Sequence, residues 1–270
     1  MISIPDPAWG LLHRVTKEGR ILVITGAGIS VESGIRPYRS EDGTGVYEDD
    51  DEFNPLKVLR SDTVYHHPEM LWEYVLSRFN SVVRDAEPNR AHYALATLES
   101  HMGDRFGLVT QNIDGLHLKA GSSPERTIEL HGSSRMRCSD ECWIRNNDGV
   151  PEIWDIPEDA SMDNLVCPRC GAFTRPHALM FDEAYSQELY RSEEATDWAD
   201  RADVVITVGC SAVVPVAQIL ANTVVRNGGS VIDINPAQES TIGDTAEQQG
   251  MRLRMSAGDA LPRLVDFMTA

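Results

Sequence analysis

The sequence predicts an α/β fold: a parallel sheet covered by helices on both faces, with a small cysteine-bearing module inserted in the second half of the chain. Three observations carry this. The apolar runs ILVIT (21–25), ADVVITVGC (202–210) and GGSVIDIN (228–235) read as strands buried on both faces. Helical patterns alternate with such runs, as in crossover-connected parallel sheets. Four of the five cysteines, Cys138, Cys142, Cys167 and Cys170, form two close pairs within 133–178, a stretch of little periodicity.

The elements follow in order. Residues 8–20 predict a helix closing at Gly19, then the strand 21–25. Residues 40–55 are acidic and punctuated, hence a loop. Pro68 opens a helix over 68–84 with Trp72, Val75, Leu76 and Phe79 on its apolar face, and Asn89 caps a helix over 89–101. FGLVTQNID (106–114) reads as strand then loop, and RTIELHG (126–132) as a strand ending at glycine. The strand 202–210 leads into a helix over 214–227, the strand 228–235 follows, and 261–268 closes the chain as a helix. The expected division is a Rossmann-like domain over 1–132 and 179–270, a zinc-binding module over 133–178, and a helical part of the small domain over 36–90.

The chain has 270 residues, enough for one large or two modest domains with a real core. It carries 42 acidic against 24 basic side chains, a net charge of −18, which repels phosphate backbones and argues against nucleic-acid binding. Such a surface suits cationic partners such as lysine-rich protein segments. No basic start leads into an apolar run, and no stretch approaches 18 apolar residues, so neither a secretory signal nor a membrane span is expected. A cytoplasmic location follows as an expectation. In an intracellular chain, close cysteine pairs read as metal ligands before disulfides, and the lone Cys210 reads as a small core residue.

Chemistry begins at ITGAGISVESGIRPYR (24–39). Gly26 and Gly28 lie just past a buried strand, where a glycine turn lets backbone N–H groups approach a pyrophosphate. The dinucleotide fingerprint asks for a further glycine where Val31 stands, so this stretch alone equally suits a tight strand-to-helix turn with no ligand. Arg36 and Arg39 are natural anion donors, or solvated surface arginines. In TQNIDGLH (110–117), Gln111 and Asn112 suit a ribose or an amide, and Asp114 suits a carboxamide NH₂; an Asx turn is the plain alternative. His131 ends the ELHG strand beside Gly132 and is a candidate general base.

Together these residues resemble the sirtuins, NAD-dependent protein lysine deacylases. GAGISVESGI, TQNIDGLH, ELHG, the two cysteine pairs, RPHALMFDE, GCSAVV, IDIN and AGDALPRL occur in sirtuin order from about residue 10 to 265. The resemblance implies that Gly26, Ala27, Gly28, Tyr38 and Arg39 hold the phosphates and ribose of NAD, with Arg36 as an extra cation. It places Gln111, Asn112 and Asp114 around the nicotinamide ribose and carboxamide. Gly209, Ser211, Asn235 and the turn Gly258, Asp259, Ala260 would line the adenosine end. Catalytic roles fall to His131, as base on the ribose hydroxyls, and to Asn112. The acyl-lysine peptide would enter as an extended strand between Phe181–Tyr185 and the loop after Cys210, touching Phe181 and Val213. The acyl group passes to ADP-ribose as nicotinamide leaves.

The cysteines read directly. C-x3-C and C-x2-C knuckles supply four thiolates, a closed tetrahedral Zn²⁺ site with no position open for water, hence structural.

Several motifs depart from the sirtuin pattern. The usual G-I-P-x-F-R reads Gly34-Ile35-Arg36-Pro37-Tyr38-Arg39, G-T-S reads Gly209-Cys210-Ser211, and F-G-E reads Phe181-Asp182-Glu183. Sirtuins that remove succinyl groups pair a tyrosine with an arginine three residues later. Here Val75 holds the tyrosine position while Arg78 remains, and Tyr74 and Arg78 share a helical face at i,i+4. Together with the acidic run 48–52, this predicts a neutral acyl group. Mono-ADP-ribosyl transfer or NAD hydrolysis on the same scaffold is the alternative, which need not retain the base; a non-catalytic NAD- or peptide-binding module is a further one. An ordinary dehydrogenase is a poor fit: the third fingerprint glycine is missing, and hydride transfer would not require ELHG.

Overall fold

The computed structural model describes residues 12, 15, 17–37, 45–46, 54–146, 149, 151–211, 214–238 and 240–270. The helix over 8–20, the loop over 40–55 and the acidic run 48–52 lie wholly or mostly outside these residues. Nine strands are described: β1 Ile21–Thr25, β2 Phe106–Thr110, β3 Thr127–Glu129, β4 Gly132–Cys138, β5 Ile153–Trp154, β6 Thr174–Ala178, β7 Val204–Val208, β8 Ser230–Ile234 and β9 Gly250–Leu253. Six form one parallel sheet in the order β3-β2-β1-β7-β8-β9, and three form an antiparallel sheet in the order β5-β4-β6.

The apolar runs explain the large sheet. Successive strand residues point to opposite faces, so Ile21 and Val23 join one core with Leu108, Ile206 and Ile232. Leu22 and Ile24 join the other with Val109, Val205 and Val231. Helices Arg90–Met102 and Ala257–Thr269 cover the first face through Leu95, Leu98, Leu261 and Leu264. Helices Ser192–Arg201, Val216–Arg226 and Thr241–Gln249 cover the second through Ala199, Leu220 and Ile242. Asn89 caps its helix as its type predicts: Oδ1 accepts from Ala91 N at 2.9 Å, and Asn89 N donates to His92 Nδ1 at 3.2 Å.

Counting only the strands of this sheet, the order is 3-2-1-4-5-6, the Rossmann arrangement, and its direction reverses between β1 and β7. Ligands of such sheets bind outside the carboxyl ends at that reversal. Gly26 and Gly209 follow those two strands, and the backbones touch. A Cβ on Gly209 would stand 2.5 Å from Gly28 Cα, and Gly209 has φ +60°. Gly209→Ala is therefore expected to cost about 1–3 kcal/mol in backbone strain alone, with further cost from the clash. Thermal unfolding should show Tm several degrees lower; an unchanged Tm would mean the two turns part freely.

Two expectations need correction. The helix expected over 68–84 is not continuous: Pro68–Tyr74 and Ser81–Asp85 are α-helical, but Val75–Asn80 widens into a π-turn. On this stretch Tyr74 is buried while Arg78 is exposed. The stretch 133–178, read as irregular, holds the whole second sheet apart from Gly132. Among the described residues, no helix is long and apolar enough to cross a membrane.

Candidate active site

A cavity of about 1200 Å³ opens at the strand-order reversal. Gly26, Ala27, Gly28, Gln111, Asn112, His131, Gly209, Ser211 and Asn235 all line it, as do Tyr74 and Phe181. Residues of high separation in sequence thus meet at the ends of β1, β2, β3, β7 and β8.

The glycine turn works differently from its sequence reading. Gly26 N donates to Val208 O at 3.0 Å and Gly28 N to Gly209 O at 3.0 Å. Both N–H groups are committed to packing β1's turn on β7's, so neither is left for a phosphate. A short 3₁₀ helix, Ala27–Ser33, follows.

Asn112 is buried, and its Nδ2 donates to Gly26 O and Ser30 Oγ, each at 3.1 Å. Ser30 Oγ donates in turn to Asp114 Oδ2 at 2.7 Å, and Asp114 Oδ1 accepts from Leu116 N at 3.0 Å. Burial pushes the Asp114 carboxyl up, and these two hydrogen bonds oppose it. Asp114 therefore sits behind the wall and braces Asn112 through Ser30. Sequence reading missed Ser30, although it lies within the glycine stretch; only the contact across 84 residues shows its part. Asn235 ties two strand ends together: Nδ2 donates to Cys210 O at 2.9 Å, and Oδ1 accepts from Ala237 N at 3.1 Å.

His131 stands between β3 and β4. Gly132 turns the chain there with φ +83°, and a Cβ on it would collide with His177 O on β6. Glycine after the histidine is thus what allows the two sheets to meet at the base. His131 O accepts from Leu179 N at 2.9 Å, and the ring's Nε2 lies 3.0 Å from Tyr185 Oη. Burial pushes the imidazole down to about 4, opposed by a hydrogen bond to the Gln111 backbone, so the ring is neutral at pH 7. The other histidine of these motifs, His117, is structural: fully interior, with Nε2 at 2.9 Å from Thr25 Oγ1.

The segment expected to meet peptide is pinned from behind. Phe181 N donates to Leu59 O at 3.0 Å, and Asp182 accepts from Ser61 N at 2.8 Å and Ser61 Oγ at 2.7 Å. The side chain that replaces the usual glycine thus turns toward Ser61. Glu183 accepts from buried Arg175 at 2.8 Å and from Met180 N at 2.9 Å.

Other residues singled out by sequence do not line the cavity. Arg36 is exposed and donates to Gly45 O at 3.1 Å. Gly258 N donates to Glu32 Oε1 at 3.2 Å, Asp259 pairs with Arg90 at 2.8 Å, and Ala260 is in the core; their neighbours Ser256 and Ala257 take the place on the wall. Arg78 also lies off the wall. Tyr38, Arg39 and Val213 fall outside the described residues.

The four cysteines come together. Cys138 Sγ lies 3.6 Å from Cys170 Sγ, Cys142 Sγ 3.7 Å from Cys167 Sγ, and all four sulfurs lie within 4.8 Å of one another. Thiolates at about 2.3 Å around tetrahedral Zn²⁺ stand about 3.8 Å apart, so the cluster fits a structural zinc. It joins the end of β4, the helix Cys142–Arg145 and the turn at Cys167–Cys170. Cys210 is separate, its thiol pushed up to about 12 by burial and thus unreactive.

A sheet of this order takes a dinucleotide where its strand order reverses, and His131 stands at that crevice as a candidate general base. The model of the Sir2 family matches residues 26–216, and the chain belongs to that family. It is 36% identical over 245 residues to an NAD-dependent protein deacylase of Pyrococcus abyssi, covering 90% of this chain and 91% of the relative. It is 34% identical over 253 residues to one of Mycobacterium tuberculosis, covering 93% and 98%. A Sir2 homologue bound to NAD superposes with TM-score 0.79 at 30% identity, covering 98% of this chain and 94% of the other. A Sir2 bound to a p53 peptide and NAD superposes with TM-score 0.72 at 29% identity, covering 94% and 95%.

Proposed function

We propose that this chain is an NAD-dependent protein lysine deacylase whose base is His131 and whose preferred acyl group is uncharged. The observation that carries this reading is the neutral His131 ring in the same cavity as Gln111, Asn112 and the glycine turns. NAD, consumed as a substrate, supplies the ribose that receives the acyl group and loses nicotinamide. Overall, acyl-lysine, NAD⁺ and water give lysine, nicotinamide and O-acyl-ADP-ribose.

The protein's residues do the following. Asn112, held by Gly26 O and Ser30, presents a fixed amide to the ribose. His131 Nε2 takes a ribose hydroxyl proton, so that the hydroxyl oxygen reaches the acyl carbon. Phe181 and its pinned segment receive the peptide in extended form. Apolar wall residues exclude water, which would otherwise divert the reaction to NAD hydrolysis. Zinc, held by Cys138, Cys142, Cys167 and Cys170, secures the module and takes no part in acyl transfer.

The acyl preference rests on the wall where Leu59, Tyr74, Val75, Phe79, Ile156 and Met180 meet. Among the described lining residues there is no lysine or arginine; the charged ones are Glu32 and Glu183. A succinyl carboxylate would be buried there without a counter-charge. Acetyl-lysine peptide is expected to exceed succinyl-lysine peptide by about 100-fold in kcat/KM, equal to about 2.7 kcal/mol. Nicotinamide release with the two peptides in parallel tests both claims. Faster succinyl turnover would refute the acyl preference; peptide-independent NAD consumption would favour NAD hydrolysis or ADP-ribosyl transfer.

A further inference from the structure

Tyr185 is absent from the motifs that mark this family in the sequence, yet its hydroxyl reaches the ring of the proposed base. Its Oη lies 3.0 Å from His131 Nε2, and the two rings stack at 5.9 Å between centroids with 24° between planes. Both side chains line the cavity. The tyrosine sits two residues past Glu183, which Arg175 and the Met180 backbone hold in place. Burial pushes the phenol up to about 12, so it keeps its proton at neutral pH. A neutral imidazole has one unprotonated ring nitrogen; with the proton on Nδ1, Nε2 is an acceptor facing the tyrosine hydroxyl.

We propose that Tyr185 is a positioning residue for the base: its hydroxyl donates to His131 Nε2 and its ring covers the imidazole, holding the proton-accepting tautomer until a ribose hydroxyl takes the tyrosine's place. This rests on the base role assigned to His131 above. A neutral imidazole nitrogen has one lone pair, so the phenol and the ribose hydroxyl compete for it. When the ribose O–H bond breaks, its proton forms the new Nε2–H bond and the ring becomes cationic. The phenol oxygen then serves as an acceptor for that N–H. Of the charged residues lining the cavity beside this pair, Glu183 is already engaged by Arg175, and Glu32 bonds Gly258 N and lies 3.6 Å from Arg90.

The test is Tyr185→Phe, which keeps the ring and removes the hydroxyl. ¹⁵N NMR of the ligand-free protein, with the His131 signals assigned by His131→Gln, should show Nε2 unprotonated in the wild type. In Tyr185→Phe the two tautomers should mix and the ring pKa should rise by about 0.5 to 1 unit, because an acceptor bond that favoured the neutral form is lost. The acid limb of kcat/KM for NAD, measured with acetyl-lysine peptide, should move up with it. KM for NAD should fall about three- to tenfold, since no hydroxyl must be displaced. A merely structural tyrosine would change Tm and leave tautomer and acid limb where they are, and that result overturns the proposal. Full activity in His131→Gln would overturn the base role instead, which the ligand-free NMR distinguishes from a failure of the tyrosine contact.

Discussion

His131→Ala should lower peptide-driven nicotinamide release and lysine formation by about 10²- to 10⁴-fold, the usual contribution of a positioned general base. The fold should survive, because the side chain makes its polar contacts to Tyr185 and the Gln111 backbone, while the backbone bond from Leu179 N to His131 O is unaffected. NAD binding, followed by calorimetry, should persist, since Gly26, Gln111, Asn112 and Gly209 are untouched. That split separates loss of proton transfer from loss of the site. The neutral resting ring matters here. A histidine held near its ordinary value of about 6.5 would be partly cationic at pH 6 and unable to accept a proton. His131, pushed down to about 4 by burial, remains available throughout the neutral range. Wild-type rates in the alanine variant would mean that another group accepts the ribose proton.

Stripping zinc should have a comparably large effect on stability. Cys138, Cys142 and Cys167 are buried, and the apolar cluster around them is small: Trp143, with Trp154, Ala172 and Leu189 packed against it. So few side chains supply little hydrophobic stabilisation against the entropy of ordering this module. Four thiolates binding Zn²⁺ supply about 10–16 kcal/mol in zinc-finger peptides that fold only with metal. Cys167→Ser, or a strong chelator, is therefore expected to lower Tm steeply and to remove one equivalent of zinc. Activity should fall as well, because Ser133, Ser134, Ile156 and Ala178 of this region form part of the cavity wall. Zinc added back to the chelated protein should restore both. Cys210→Ser provides the contrast, since that thiol lies outside the cluster, and zinc content should not change. A chelated protein with unaltered Tm and activity would show that the four thiols hold the module without metal.

Much of this was legible in the residues. β1, β7 and β8 are dominated by β-branched apolar residues because a parallel sheet covered on both faces buries both sides, and the buried Asp233 of β8 is matched by Thr207 of β7, which donates to it at 2.6 Å. Asn89 marked a helix start, and the cysteine spacing marked a metal site. The second sheet was not legible, for a specific reason. β4 and β6 carry Arg137, Arg175 and His177, all buried, so their strands read as polar. Burial of the first two becomes tolerable through Glu141 and Glu183, carboxylates that the strand pattern does not reveal. The π-turn at Val75–Asn80 was hidden as well, since an apolar spacing of 3.6 and a locally widened turn look alike over six residues.

By itself, then, the sequence determined the fold class, five of the six strands of the main sheet, the cysteine cluster and the histidine lining the cavity, because each is written in local composition, spacing or motif; the edge strand Gly250–Leu253 was not among them. Tertiary structure alone decided that the Gly26 and Gly28 N–H groups serve packing, that Asp114 acts through Ser30, that Arg78 leaves the cavity wall and that Tyr185 reaches His131. Those outcomes depend on contacts between segments far apart in the chain, whose distances and directions arise only when the sheets close around the cavity.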